Sequence, residues 1–216
     1  MKNVKQVAIA LVVLLTGSVT LNAQSGGGED EERRVRIGIK GGVNFSNVYD
    51  ESGDDFIADG KFGWVGGAFL SIPIGEYLGL QPEVLYSQKG FDASGSVLGY
   101  SYTLTRTSNF LDIPIFLALR PAPFMTVLVG PHFSYLMSQN DVFSTPLGGY
   151  EVEQEFDNDD IRKNILGFGG GIDLNFDHVV VGARTGFDFQ NNQPDGSSST
   201  PRYKNVWLQA TIGLRI

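Results

Sequence analysis

The chain has 216 residues, enough for one domain behind a leader, and its net charge of −8 excludes the usual nucleic-acid binder, whose partner calls for clustered Lys and Arg. It has no cysteine, which excludes a disulfide framework, a thiolate metal site, a Cys nucleophile and a lipoprotein anchor. Lys2 and Lys5, the unbroken apolar run Val7–Leu15 and the small exit residue Ala23 have the parts of a secretory signal peptide over residues 1–23. A run of nine apolar residues is too short to span a bilayer as a helix, which takes roughly 20. Residues 24–34, QSGGGEDEERR, read as a flexible periplasmic tail. An exported chain with no later apolar helix can still cross a membrane as a closed β-barrel.

From residue 35 to residue 216 the hydrophobic period is two. The first predicted strand, Arg34–Phe45, sets Val35, Ile37, Ile39, Val43 and Phe45 against Arg36, Gly38, Lys40, Gly42 and Asn44. The second, Lys61–Pro73, is Gly-rich, and Trp64, Ala68, Leu70 and Ile72 are placed outward. The third, Leu78–Lys89, opposes Leu78, Leu80, Val84 and Tyr86 to Gln81, Glu83, Ser87 and Lys89. In the fourth, Tyr102–Arg120, Leu111, Ile113, Ile115, Leu117 and Leu119 oppose Asp112, Pro114, Phe116 and Arg120. The fifth, Phe124–Ser138, opposes Val127, Val129, Phe133 and Tyr135 to Thr126, Gly130, His132 and Ser134.

The sixth, Asn164–Leu174, opposes Leu166, Phe168, Ile172 and Leu174 to three glycines and Asp173. The seventh, His178–Phe189, opposes Val179, Val181, Phe187 and Phe189 to Gly182, Arg184, Gly186 and Asp188. The eighth, Lys204–Ile216, opposes Leu208, Ala210, Ile212, Leu214 and Ile216 to Asn205, Gln209, Thr211 and Arg215. Short turns at 74–77, 121–123 and 175–177 alternate with long, acid-rich connections at 46–60, 90–101, 139–163 and 190–203. That alternation, with an apolar face against a face of glycines and single charges, predicts an all-β, eight-stranded antiparallel up-and-down transmembrane β-barrel. A soluble, secreted barrel carrying an apolar ligand shows the same period and is the competing architecture.

Several segments carry a family likeness. Ile37-Gly38-Ile39-Lys40-Gly41-Gly42-Val43-Asn44-Phe45-Ser46 resembles the opening strand of PorT-like outer-membrane β-barrels. Leu80-Gln81-Pro82-Glu83-Val84-Leu85-Tyr86-Ser87-Gln88-Lys89-Gly90 resembles their third strand, Leu111–Ile115 their fourth and Val129-Gly130-Pro131 their fifth. The chain departs from them in ending on Ile216 rather than an aromatic residue. The resemblance implies an outer-membrane barrel; it links the chain to protein secretion by family likeness only.

Candidate sites are few. The charges Arg36, Lys40, Glu83, Asp112, Arg184, Asp188 and Arg215 fall inside the barrel, where they must pair, so they are expected to form a structural network that blocks a pore. His132 and Ser134 share a face, as the base and nucleophile of a lipid-modifying enzyme would; an interior hydrogen-bonding pair is the simpler expectation. The run Glu151, Glu153, Glu155, Asp157, Asp159 and Asp160 lacks the glycine and terminal glutamate of a calcium loop and is expected to be a solvated, partly stranded loop. The glycine clusters match no dinucleotide or phosphate-loop spacing, and no cofactor is expected. Phe56, Ile57, Phe143, Tyr150 and Phe156 sit in the long connections as candidate contacts for an unidentified protein partner, the other partner being outer-membrane lipid.

Overall fold

The computed structural model describes residues 34–52, 57–97, 100–145, 148–154, 162–192 and 202–216. The expected leader, 1–23, and all of the tail but Arg34 lie outside them. Among the described residues nine strands are present: β1 Arg36–Ser52, β2 Ile57–Pro73, β3 Leu78–Val97, β4 Tyr100–Ala122, β5 Met125–Thr145, β6 Gly148–Gln154, β7 Asn164–Phe176, β8 Val179–Asp188 and β9 Arg202–Arg215. All neighbouring pairs are antiparallel, and β1 pairs with both β2 and β9, so the sheet closes on itself. Ile37 and Ile216 exchange backbone hydrogen bonds of 3.2 and 2.9 Å and extend that seam to the last residue. The result is an eight-stranded barrel with β6 hydrogen-bonded to β5 beyond Tyr135↔Asn164, where the pairing of β5 with β7 stops.

The expected phase of the strands matches the burial. Ile39, Trp64, Ile115, Leu208, Ile212 and Leu214 are exposed on the outside, while Asn44, Glu83, Ser87, Ser134 and Asp188 are buried inside. A soluble barrel has the opposite polarity, so the alternative of a soluble carrier fails on this observation. Leu70 shares the outward parity of Trp64 yet is buried. On the inner face of the second strand Val65 and Phe69 are as apolar as its outer residues, and both are buried in the lumen.

Outside, aromatic residues mark two levels. Tyr77, Phe124 and Phe176 are exposed beside the short turns. Toward the other end Trp64 stacks on Tyr86 at 4.7 Å, Phe45 meets Phe62 at 5.0 Å and Phe187 meets Phe189 at 5.4 Å. Apolar bands flanked by aromatic girdles are the outer surface of transmembrane barrels.

The turns are tight. Between β7 and β8 only Asp177 and His178 intervene, and Asp177 takes a φ of 53°. Asp is among the few residues besides Gly that tolerate this left-handed conformation.

Three of the four long connections differ from expectation, because most of the residues of 46–60, 90–101 and 139–163 are strand. β3 and β4 stay in register from Leu78↔Leu119 to Val97↔Tyr100, well past Lys89, and β5 continues to Thr145 before turning into β6. Once the strands leave the apolar band their outer face turns polar, so the alternation that reveals a strand by hydrophobicity fades. Ser and Thr carry the pairing instead, as at Ser94↔Thr103. Asp141, counted among the loop acids, is therefore on β5, inside and buried.

Placing Arg at Ile115 or Val181, both exposed on the apolar band, should cost about 2–4 kcal/mol and impair assembly. Arg at Thr103, exposed on the hairpin, should be tolerated. Denaturant titration of the folded barrels in lipid vesicles measures the difference.

Candidate functional site: a filled lumen and its outer hairpins

The lumen is built from the inward residues of all eight barrel strands. Near the short turns Phe116, Ala118 and Leu128 make an apolar floor. Above it Glu83 of β3 is contacted by Lys40 of β1 and by Arg184 of β8, whose Nη1 donates to both carboxylate oxygens at 2.7 Å. Arg184 Nη2 donates to both oxygens of Asp173 on β7, at 2.9 and 2.7 Å. Gln81 Nε2 donates to Glu83 at 3.0 Å and to Asp173 at 3.1 Å. One cluster thus ties four strands together across the barrel.

A second cluster sits beside it. His132 Nε2 lies 3.0 Å from Asp188 Oδ1, and Asn205 Nδ2 donates to Asp188 Oδ2 at 2.6 Å. Lys89 Nζ lies 2.9 Å from Asp112, which also accepts Ser134 Oγ–H at 2.5 Å. Toward the outer hairpins Arg106 donates to both oxygens of Asp141, at 2.7 and 2.6 Å, and to Tyr203 Oη at 3.0 Å. Val48, Phe91, Ala93 and Tyr203 form an apolar cap at that end.

The aromatic residues inside have an electrostatic use. Arg184 lies 5.3 Å from the Phe116 ring centre, Lys89 4.9 Å from Phe110, and Lys40 5.7 Å from Phe69. Ring faces attract cations, most strongly where water is excluded. Glycine makes the room: a Cβ on Gly186 would stand 2.4 Å from Trp207 Cζ2, and one on Gly167 2.4 Å from His132 Cε1.

Of the residues expected to form the network, Lys40, Glu83, Asp112, Arg184 and Asp188 are buried with ionic or hydrogen-bonded partners. Arg36 and Arg215 are only partly buried, at the rim beside the turns, where Arg215 donates to Asn175 Oδ1 at 2.8 Å and to Asp177 O at 3.1 Å. They terminate the first and last strands, so the parity that puts them inside brings them out at the mouth. Lys89, Arg106, Asp141 and Asp173 belong to the network and were not singled out. Lys89 and Asp173 already showed inward parity; Asp141 was hidden by the polar stretch around it.

His132 and Ser134 do share the inner face, but each is engaged with a different carboxylate, Asp188 and Asp112. Their relative exposures are 2% and 0%, so a lipid substrate has no access to the hydroxyl. Phe56 and Phe156 lie outside the described residues. For Ile57, Phe143 and Tyr150 only the backbone is described: Ile57 opens β2, and Phe143 and Tyr150 are register partners on β5 and β6. Glu151 and Glu153 are on β6, and residues 155–160 lie outside the described set.

The family model for the outer membrane protein beta-barrel domain matches residues 22–194. The chain belongs to this family. Its barrel therefore sits in the outer membrane. Among solved structures the chain is similar to Ail, the attachment invasion locus protein of Yersinia pestis, with a TM-score of 0.48 and 12% identity over 85% of this chain and 99% of that one. It is also similar to Neisserial surface protein A, with a TM-score of 0.46 and 12% identity over 82% and 96% of the two chains. OprG from Pseudomonas aeruginosa gives 0.38 and 10% over 85% and 97%. Likenesses of this size say nothing about activity. No curated protein is significantly similar to the chain.

Glu83→Gln should destabilise the barrel by about 3–5 kcal/mol, because it strands Lys40 in the lumen and leaves Arg184 with Asp173 alone. Glu76→Gln, in an exposed turn, should leave thermal unfolding in detergent unchanged. Equal midpoints for the two variants would remove the network from the stability of the fold.

Proposed function

We propose that the chain, exported and cleaved after Ala23, is a non-catalytic surface protein that meets a protein partner through its external hairpins. The observation that carries this reading is the filled lumen. A channel needs a continuous polar path, and here the inward side chains of opposite strands touch across the barrel, as in the pair Arg184 and Glu83. An enzyme of the His/Ser type needs an accessible hydroxyl next to its base, and Ser134 is buried against Asp112. With the interior committed to itself and the wall facing lipid, the hairpins are the specific surface left for recognition.

Their chemistry fits a partner with both basic and apolar character. Asp59 and Val142 are exposed on the hairpins, and the sequence places the apolar residues Phe56, Ile57, Phe143, Tyr150 and Phe156 in the same connections. The likeness to PorT-like barrels makes a component of a secretion machine one partner class worth testing, on family resemblance alone.

Shortening both β1–β2 and β5–β6 should leave the barrel folded, as shown by altered gel migration before and after boiling. It should abolish any partner captured by cross-linking at Ile57 or Tyr150 in intact cells. His132→Ala and Ser134→Ala should leave lipid A acylation unchanged; a change that depends on Ser134 would make the protein an enzyme instead.

A further inference from the structure

Four buried polar atoms in the lumen have no hydrogen-bond partner among the described residues and belong to residues that line one cavity: His132 Nδ1, Arg184 Nε, Trp207 Nε1 and Gln209 Oε1. The cavity has a volume of about 10 Å³, and Glu83, Leu85, Asp112, Pro114 and Phe116 complete its wall. All four residues are more than nine-tenths buried, at 2%, 3%, 7% and 3% exposure. That volume is about what one water molecule needs.

The donor and acceptor roles are settled by the neighbours. Arg184 Nε–H and Trp207 Nε1–H can only donate. His132 Nε2 faces the Asp188 carboxylate at 3.0 Å and so carries a proton; in the tautomer protonated at Nε2, Nδ1 is an acceptor. Gln209 is oriented by a chain: Asn44 Nδ2 donates to the backbone carbonyl of Gln88 at 3.2 Å and to Ser87 Oγ at 2.8 Å. Asn44 must then present its Oδ1 to Gln209, which donates through Nε2 at 3.0 Å and turns Oε1 the other way. Two donors and two acceptors are the complement of one water, which accepts twice and donates twice.

We propose that this cavity is a binding site for a single ordered water, which accepts from Arg184 and Trp207 and donates to Gln209 and His132. The water joins three groups that no side-chain hydrogen bond links among the described residues: the Lys40–Glu83–Arg184–Asp173 cluster, the His132–Asp188–Asn205 cluster and the Gln209–Asn44–Ser87 chain. It fixes His132 in the neutral form protonated at Nε2. A halide is disfavoured, because Gln209 Oε1 and His132 Nδ1 would both face it with lone pairs.

The test is a crystal structure of the full barrel, grown from detergent and soaked in bromide, with ¹⁵N NMR of the histidine and indole nitrogens in micelles. The expected result is one peak without anomalous signal, within hydrogen-bonding distance of all four atoms. In solution the Trp207 indole N–H, distinguished from Trp64 by Trp207→Phe, shows a cross-peak to a long-lived water, and His132 Nδ1 is unprotonated. An empty cavity, an anomalous bromide peak or a protonated Nδ1 would each overturn the assignment. If crystals do not form, the water cross-peak and the state of Nδ1 decide alone.

Discussion

Hydrocarbon offers no hydrogen bonds, and the rest of this structure follows from that. Every backbone N–H and C=O within the membrane must find a partner in the chain itself, and each failure costs several kcal/mol. The pairing of β1 with β9 meets this demand: without it both strands would present a row of unpaired groups to lipid. Once the sheet is closed, alternate side chains have only two destinations. One set goes to lipid and is apolar; the other is enclosed in a lumen too narrow for bulk water.

Enclosure makes the inward set interdependent. A lone charge there would be prohibitive, so Lys40, Glu83, Asp173 and Arg184 occur as a mutually hydrogen-bonded group drawn from four strands. Such groups are not a cheap source of stability, since desolvation offsets much of the attraction. Their effect is on specificity: a slip of one residue in any strand would send these charges into lipid, so the network selects the register. Gly167 and Gly186 serve the same end by admitting the rings of His132 and Trp207. The lumen is thereby occupied by side chains.

The barrel was legible in the sequence because period-two alternation is strongest where one face meets lipid. Lys40 and Asn44 in the first strand, Glu83 and Ser87 in the third and Asp112 in the fourth were placed inside from parity alone, and they are buried. The pairing of these charges was not legible, since it depends on how eight strands stagger around the barrel. Parity also does not tell a residue in the middle of the lumen from one at its mouth, which is why Arg36 and Arg215 were grouped with Glu83. The external hairpins were hidden for a different reason. Above the membrane both faces of a strand can be polar, so Asp141 and the stretch after Lys89 look like loop. Their inward side chains, Phe91, Ala93 and Tyr203, are the apolar signal that continues the barrel there.

The central claim is that one face of each strand meets lipid while the other is sealed from both lipid and water. Because the native chain has no cysteine, single cysteines can be introduced one at a time from Phe110 to Leu119 of β4 and spin-labelled in the barrel reconstituted in vesicles. The odd positions, from Leu111 to Leu119, should collide readily with dissolved oxygen and not with a water-soluble nickel complex. The even positions should be shielded from both, giving a period of two along the strand. Access of the nickel complex to the odd positions, or oxygen access without that period, would contradict the account.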